Sequence, residues 1–202
     1  MSLAELKKIY RERRGVIQNR LEDFKKVKGD HVFYELCFCI LTPQSNALKC
    51  DRCISILKGN GFLNKDFEIE GHLRSHTRFY RNKSKYLRLA KESYRLTEGE
   101  IKKTKNPKEL REYLVKNVKG IGYKESSHFL RNIGYRNLAI LDRHILKNLL
   151  KLNVIPAMPK TLTKKTYLAI EKKFLNFSKK LKIPMDELDL LFWSIETGKV
   201  FK

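Results

Sequence analysis

Acidic residues are scarce in this chain: 22 Asp and Glu stand against 44 Lys and Arg, a net charge of +22 at pH 7 over 202 residues. Such an excess costs self-repulsion and is tolerated where the partner is a polyanion, so nucleic acid is the leading partner class. Charge kept for solubility alone is the plainer alternative. The basic residues are dispersed along the chain instead of gathered in one block, which argues against an anionic membrane surface. Long hydrophobic runs are also missing. No stretch reaches the roughly 20 apolar residues that span a bilayer, and the opening Met1-Ser2-Leu3-Ala4-Glu5-Leu6 lacks the pattern of a signal peptide. The expected location is therefore intracellular: cytoplasmic and nucleoid-associated, with no membrane partner. Only four cysteines occur, and in that compartment they are reduced thiols, not a disulfide framework. Strand-like alternation, internal repeats and low-complexity linkers are likewise absent or rare. The 42% hydrophobic content suffices for a core that forms without disulfide or metal.

What is present is helical periodicity from end to end. Leu6, Ile9, Arg13, Ile17, Leu21 and Phe24 mark one face of an opening helix whose outer face is strongly basic. The run from His31 to Leu41 is almost wholly apolar and predicts a buried helix, broken at Thr42-Pro43. A helix over about 45–58 follows, ending at Gly59-Asn60-Gly61. Beyond a polar loop region, an Arg- and Lys-rich helix is expected over about 81–96. Asn106-Pro107 joins a good N-cap to a residue suited to the first helical position and opens a helix to about Asn117. A helix over 123–132, stopped by Gly134, comes after the turn Gly120-Ile121-Gly122. A short extended connection over 137–141 leads into a helix from Asp142 to about Leu152. Helices over 163–181 and 184–197 complete an all-α chain.

Hydrophobic-x-Gly-hydrophobic-Gly between two helices, here Val118-Lys119-Gly120-Ile121-Gly122, is the pattern of a helix-hairpin-helix. Glycines permit the tight turn and a close backbone approach. Ile121 is expected to turn inward, while amides at the start of the second helix point out to where a DNA phosphate can sit. An ordinary helix connection containing Gly-Ile-Gly is the bland alternative. Lys124 lies on the first turn of the second helix, where a cation opposes the positive end of the helix dipole. Dipole and partial burial both disfavour the ammonium form, leaving an amine able to attack a sugar carbon and form a Schiff base. Taken alone, a phosphate-neutralising or merely solvated lysine is the simpler reading. Asp142, 18 positions on, follows the apolar Leu138-Ala139-Ile140-Leu141. It is first of all an N-cap, and a capping carboxylate there could face the same cleft as Lys124.

The block from Val118 to Gly134, Val-Lys-Gly-Ile-Gly-Tyr-Lys-Glu-Ser-Ser-His-Phe-Leu-Arg-Asn-Ile-Gly, followed by Ala139-Ile140-Leu141-Asp142-Arg143-His144-Ile145-Leu146, closely resembles the archaeal and bacterial second type of 8-oxoguanine DNA glycosylase/AP lyase. That family belongs to the helix-hairpin-helix glycosylase superfamily. The segments 35–42 and 78–81, Trp193 and the ending Gly198-Lys199-Val200-Phe201-Lys202 extend the resemblance over most of the chain. It implies a two-lobed helical fold with the active-site cleft between the lobes: one lobe over 30–141 carrying the hairpin (about 110–133), the other combining 1–29 with 142–202. It implies that Lys124 attacks C1′ of the damaged nucleoside and that Asp142 stabilises positive charge on the sugar and assists proton transfers. Elimination of the 3′ phosphate from the imine would then nick the strand. The flipped base would be sandwiched by Phe79 and Trp193, with the terminal carboxylate of Lys202 reaching its edge. Without the resemblance, Phe79 and Trp193 read as core residues. Gly120 and Gly122 would hold the backbone 3′ to the lesion. No cofactor is required, although the hairpin could hold a monovalent cation. The implied partner is double-stranded DNA containing 8-oxoguanine, and a monomer suits a single flipped nucleotide.

The chain departs from the family at the end of its second helix, where Leu41-Thr42-Pro43-Gln44 replaces Leu-Thr-Ala-Asn. Gln44 there resembles the glutamine that endonuclease III-like relatives insert into the duplex. Arg78 and Tyr80 are further candidate DNA contacts. Cys50-x2-Cys53 with His72-x3-His76 superficially matches a zinc ligand set, but the spacing is long and no ββα pattern intervenes. Buried thiols are the expectation, and no metal site. Cys37 and Cys39, two apart on a helix, point away from each other. The four-cysteine iron–sulfur loop of endonuclease III-type enzymes is absent, which argues against the oxidised-pyrimidine and adenine-mismatch branches. A non-catalytic nucleic-acid-binding module and a glycosylase for another lesion are the competing functions.

Overall fold

The computed structural model describes residues 2–202, and its regular structure is helical throughout. In chain order the helices are α1 (Leu3–Lys25), α2 (Asp30–Leu41), α3 (Ala47–Gly59), α4 (Glu70–Arg74), α5 (Tyr80–Glu92), α6 (Tyr94–Lys103), α7 (Pro107–Asn117), α8 (Tyr123–Asn132), α9 (Arg143–Lys151), α10 (Lys164–Leu181) and α11 (Met185–Thr197). They form two compact units. One spans Val27–Phe129; the other comprises the residues up to Lys26 together with Leu130–Lys202.

In the Val27–Phe129 unit the apolar α2 is the central element and packs against α3 and α5. Its Phe33 ring lies 4.9 Å from that of Tyr94 and 5.9 Å from that of Phe62. Two elements here differ from the sequence expectation. The helix expected over 81–96 ends at Glu92 and a second helix begins at Tyr94, with Ser93 Oγ donating to the Leu89 carbonyl at 2.8 Å. The interruption lets the Tyr94 ring bury against Phe33, a tertiary preference that local periodicity does not register. The expected loop before it contains the five-residue α4, whose start is organised by the Glu68 carboxylate accepting from Gly71 N–H at 3.0 Å.

In the other unit α11 packs against α1, α9 and α10. Its buried first turns carry three carboxylates, suited to the positive end of the helix dipole. Asp186 accepts from Asn137 N–H at 3.1 Å, Glu187 accepts from Tyr10 OH at 2.6 Å, and Asp189 pairs with buried Arg131. Removing one member of that last pair would leave an uncompensated buried charge, a cost of about 3–5 kcal/mol. The extended segment 138–141 is bonded to α10 at its backbone: Ala139 N–H donates to Glu171 at 2.8 Å and Tyr167 OH donates to the Ala139 carbonyl at 2.5 Å. Those bonds tie 138–141 to the helices after it, so the junction falls after Phe129 and not at 141/142. No described helix is long and apolar enough to cross a membrane.

Candidate active site

The hairpin forms where α7 leaves helical geometry at Val118 (φ −105°, ψ 116°) and α8 starts five residues later. Gly120 sits at φ +89°, and a Cβ there would lie 2.5 Å from a ring carbon of Tyr86, so both backbone and space demand glycine. Ile121 is buried, as its inward turn requires. Gly122 is different: its φ is ordinary and a Cβ would meet nothing closer than Glu125 Oε2 at 3.5 Å. Its N–H donates to that same carboxylate at 3.1 Å. Lys124, on the first turn of α8, has a side chain 24% exposed with Nζ 3.5 Å from Glu125 Oε1. Glu125 thus joins the hairpin amide to the lysine. Its signal in the sequence is a glutamate three residues after the position preceding a helix, a recognisable capping pattern.

Asp142 caps α9, as the sequence predicts: Oδ1 accepts from Ile145 N–H at 2.8 Å. It is half-buried. In the same unit Trp193 lies on α11, half-buried, with its ring 6.1 Å from that of Phe201. The Phe201 carbonyl accepts from Arg20 Nε–H at 2.7 Å, and Lys202 Nζ lies 5.9 Å from the Phe201 ring centroid. Arg20 therefore holds the 201–202 segment to α1. Its placement between two aromatics, 4.8 Å from Phe24 and 6.0 Å from Phe201, has no signal in the sequence.

The remaining candidates gather in the Val27–Phe129 unit. Phe79 is 53% exposed and occupies the left-handed region (φ 56°, ψ 34°) immediately before α5, with the Arg78 guanidinium 5.4 Å from its ring centroid. Gln44 is also exposed and left-handed (φ 54°). The two turns meet through Ser45, whose Oγ accepts from Arg78 N–H at 2.9 Å. Tyr80 is half-buried on α5 with the Arg81 guanidinium 5.7 Å from its ring centroid, outside that junction. Beneath the junction lies Lys83, which no local signal in the sequence sets apart from the other lysines of the chain. Its Nζ donates to the carbonyls of Leu41 and Pro43, both at 2.7 Å, and to Thr77 Oγ1 at 2.8 Å, with Ser45 Oγ at 3.1 Å. Desolvation pushes its pKa down to about 8. Lys124 and Arg78 add to the lowering, and Cys50 and Glu125 oppose it.

Cys50 and Cys53 are buried, donating to the carbonyls of Leu41 at 3.3 Å and His72 at 3.8 Å. Burial raises both thiols, Cys53 to about 12. No group of three or more His, Cys, Asp or Glu side chains among the described residues is arranged to hold a metal ion.

Residues 17–183 match the family model described as 8-oxoguanine DNA glycosylase. An 8-oxoguanine DNA glycosylase/AP lyase of Fusobacterium nucleatum is 45% identical over 98% of this chain and 96% of its own. One of Methanocaldococcus jannaschii is 42% identical over 95% and 94%. A crystal structure of the M. jannaschii 8-oxoguanine glycosylase/lyase in complex with 15mer DNA containing 8-oxoguanine superposes with a TM-score of 0.91 at 39% identity, covering 99% of both chains. The 8-oxoguanine DNA glycosylase of Thermotoga maritima gives 0.89 at 32% identity, covering 99% of this chain and 98% of its own.

Proposed function

The chain belongs to the helix-hairpin-helix 8-oxoguanine DNA glycosylases, and on that premise we propose that it excises 8-oxoguanine from duplex DNA and nicks the strand at the resulting site. The observation that carries this reading is Lys124: a partly exposed amine on the first turn of α8, two residues past the hairpin glycine Gly122, whose N–H donates to the same Glu125 carboxylate that Nζ approaches. In its neutral form Nζ attacks C1′ and the C1′–N9 bond breaks, the base leaving with a proton. Opening of the sugar ring then gives an imine between Nζ and C1′. Loss of a proton from C2′ expels the 3′ phosphate oxygen from C3′ and cuts the strand. Asp142 stabilises the positive charge that develops on the sugar; capping of α9 engages its Oδ1.

Phe79 and Trp193 stack on the flipped base, and the 201–202 segment, with Lys202, reads its edge. Gly120 and Gly122 hold the DNA backbone, and a phosphate at the Gly122 N–H takes the place that Glu125 occupies in the free protein. Gln44, Arg78 and Tyr80 contact the duplex around the lesion. The imine route draws on no metal or organic cofactor; carbonyls of the 118–122 turn are the oxygen donors available to a monovalent cation. One flipped nucleotide suits a monomer, and a net charge of +22 suits work on the nucleoid.

The test is borohydride trapping on 8-oxoguanine, uracil and abasic duplexes. The expected result is a covalent adduct with the 8-oxoguanine and abasic duplexes and none with uracil, lost in Lys124→Gln. Failure to trap on any duplex would leave only a phosphate-gripping module, and trapping on the uracil duplex would mark a glycosylase for another lesion.

A further inference from the structure

Lys83 is 5% exposed, and no carboxylate is among the partners its ammonium touches. Its acceptors come from two separate turns. From the first turn come the carbonyls of Leu41 and Pro43 and the Ser45 hydroxyl; from the second comes the Thr77 hydroxyl, which also donates to the Leu41 carbonyl at 2.7 Å. Leu41 is the last residue of α2, so the ammonium lies at the negative end of that helix, where a cation is favoured. A buried charge costs several kcal/mol unless such partners surround it. An apolar residue would fill the volume without that cost, so the charge calls for an explanation beyond packing.

The explanation lies in what the two turns display. Gln44 stands between Pro43 and Ser45, two of the three first-turn residues that Lys83 grips. Phe79 stands two residues after Thr77, and its carbonyl accepts from the backbone N–H of Lys83 at 3.1 Å. Both exposed residues are non-glycine and left-handed, at φ 54° and 56°, a conformation costing about 1–2 kcal/mol each. Such strain persists only where the surroundings over-determine it. The ammonium and the Ser45–Arg78 bond are that over-determination.

We propose that Lys83 is a positioning residue for lesion recognition: its buried ammonium locks the 41–45 and 77–79 turns together and thereby presents Phe79 to the flipped base and Gln44 to the duplex. This rests on the roles given to those two residues above. Lys83 touches no reacting atom; it acts through Phe79 and Gln44.

The chemistry separates this role from general stability. An abasic site has no base for Phe79 to stack on, whereas excision of 8-oxoguanine depends on that stacking. Single-turnover rates of excision on an 8-oxoguanine duplex and of nicking on an abasic duplex are therefore measured for the wild type, Lys83→Met, Phe79→Ala and the double variant. Lys83→Met is expected to lower excision at least tenfold more than nicking. In the double variant, excision is expected to fall no further than in Phe79→Ala, because two residues acting through one contact are not additive. Equal losses in both reactions, unchanged excision, or multiplicative effects in the double variant would each overturn the proposal. If Lys83→Met does not fold, Ser45→Ala is read by the same ratio. It removes the hydroxyl shared by Lys83 and the Arg78 amide, and a threefold or greater selective loss of excision is expected; no selective loss overturns the proposal. Absence of 8-oxoguanine excision by the wild type would overturn the functional reading itself, a result distinct from wild-type excision that Lys83→Met leaves untouched.

Discussion

At Gly120 a φ of +89° and a Tyr86 ring carbon 2.5 Å from any added Cβ coincide, while at Gly122 neither constraint applies. The two glycines of one motif therefore answer to different demands. Gly120→Ala must strain the backbone by about 1–2 kcal/mol and also displace the Tyr86 ring. The expected fall in Tm is at least about 4 °C for a chain of this size, partly restored by Tyr86→Ala. Gly122→Ala should leave Tm nearly unchanged in a thermal melt, since the added methyl meets only Glu125 at an ordinary 3.5 Å, yet weaken duplex binding in a titration if the proposed phosphate contact lies at this glycine. Equal Tm losses in the two variants would contradict this division. Lys83 supplies a second residue-scale prediction. Its pKa is ordinarily 10.5 and burial holds it near 8 in the folded chain. Between those values the unfolded chain binds a proton that the folded chain does not, so the contribution of Lys83 to stability rises with pH from about 8 to 10.5 and is lost as pH falls through 8. The difference in unfolding free energy between wild type and Lys83→Met cancels the other titrations. Across that window it should shift in favour of the wild type by roughly 3 kcal/mol; a flat difference would place the ammonium in a wetter site.

At the scale of elements, Asp142 serves a helix and a proposed reaction at once, and the two can be separated. Asparagine caps about as well as aspartate, whereas alanine costs about 1 kcal/mol at a cap. Asp142→Asn should thus hold Tm within a degree or two of wild type while losing most excision activity. Asp142→Ala should lose the activity and also about 2–4 °C. Loss of activity in the alanine variant alone would mean that only the cap matters. The cap was legible in the sequence because Asp, the preceding apolar segment and the following helical period are local signals. So were the α7 start at Asn106-Pro107, the hairpin and the α8 start. What escaped was decided at a distance. The break between α5 and α6 carries no proline or glycine and exists because Tyr94 packs on Phe33. Glu125 and Arg20 look like ordinary surface charges until the fold brings a hairpin amide and the Phe201 carbonyl to them. Lys83 is the extreme case, since nothing in a basic helix distinguishes the one lysine that turns inward.

For the molecule as a whole, the dominant quantity is the net charge of +22, and it acts differently from the site. Charge dispersed over the surface neutralises phosphates and releases counterions without reading sequence, so the logarithm of affinity falls linearly with that of salt concentration. A protein contacting about 6–10 phosphates loses roughly a thousandfold or more in affinity between about 50 and 200 mM salt. A dependence of that order is expected here on undamaged duplex, measured by fluorescence anisotropy. The 8-oxoguanine duplex should show nearly the same slope, because the proposed base stacking on Phe79 and Trp193 would be apolar and would add affinity without displacing further ions. Its binding curve should therefore lie parallel to, and above, that of the undamaged duplex. Lys124→Gln should reduce the slope by no more than about one unit while abolishing borohydride trapping. A much larger change in slope would mean that Lys124 organises the phosphate contacts as a group. Parallel slopes with trapping lost would mean that the charge brings the enzyme to DNA and that one lysine, set on the first turn of α8 by a glycine the fold cannot replace, performs the chemistry.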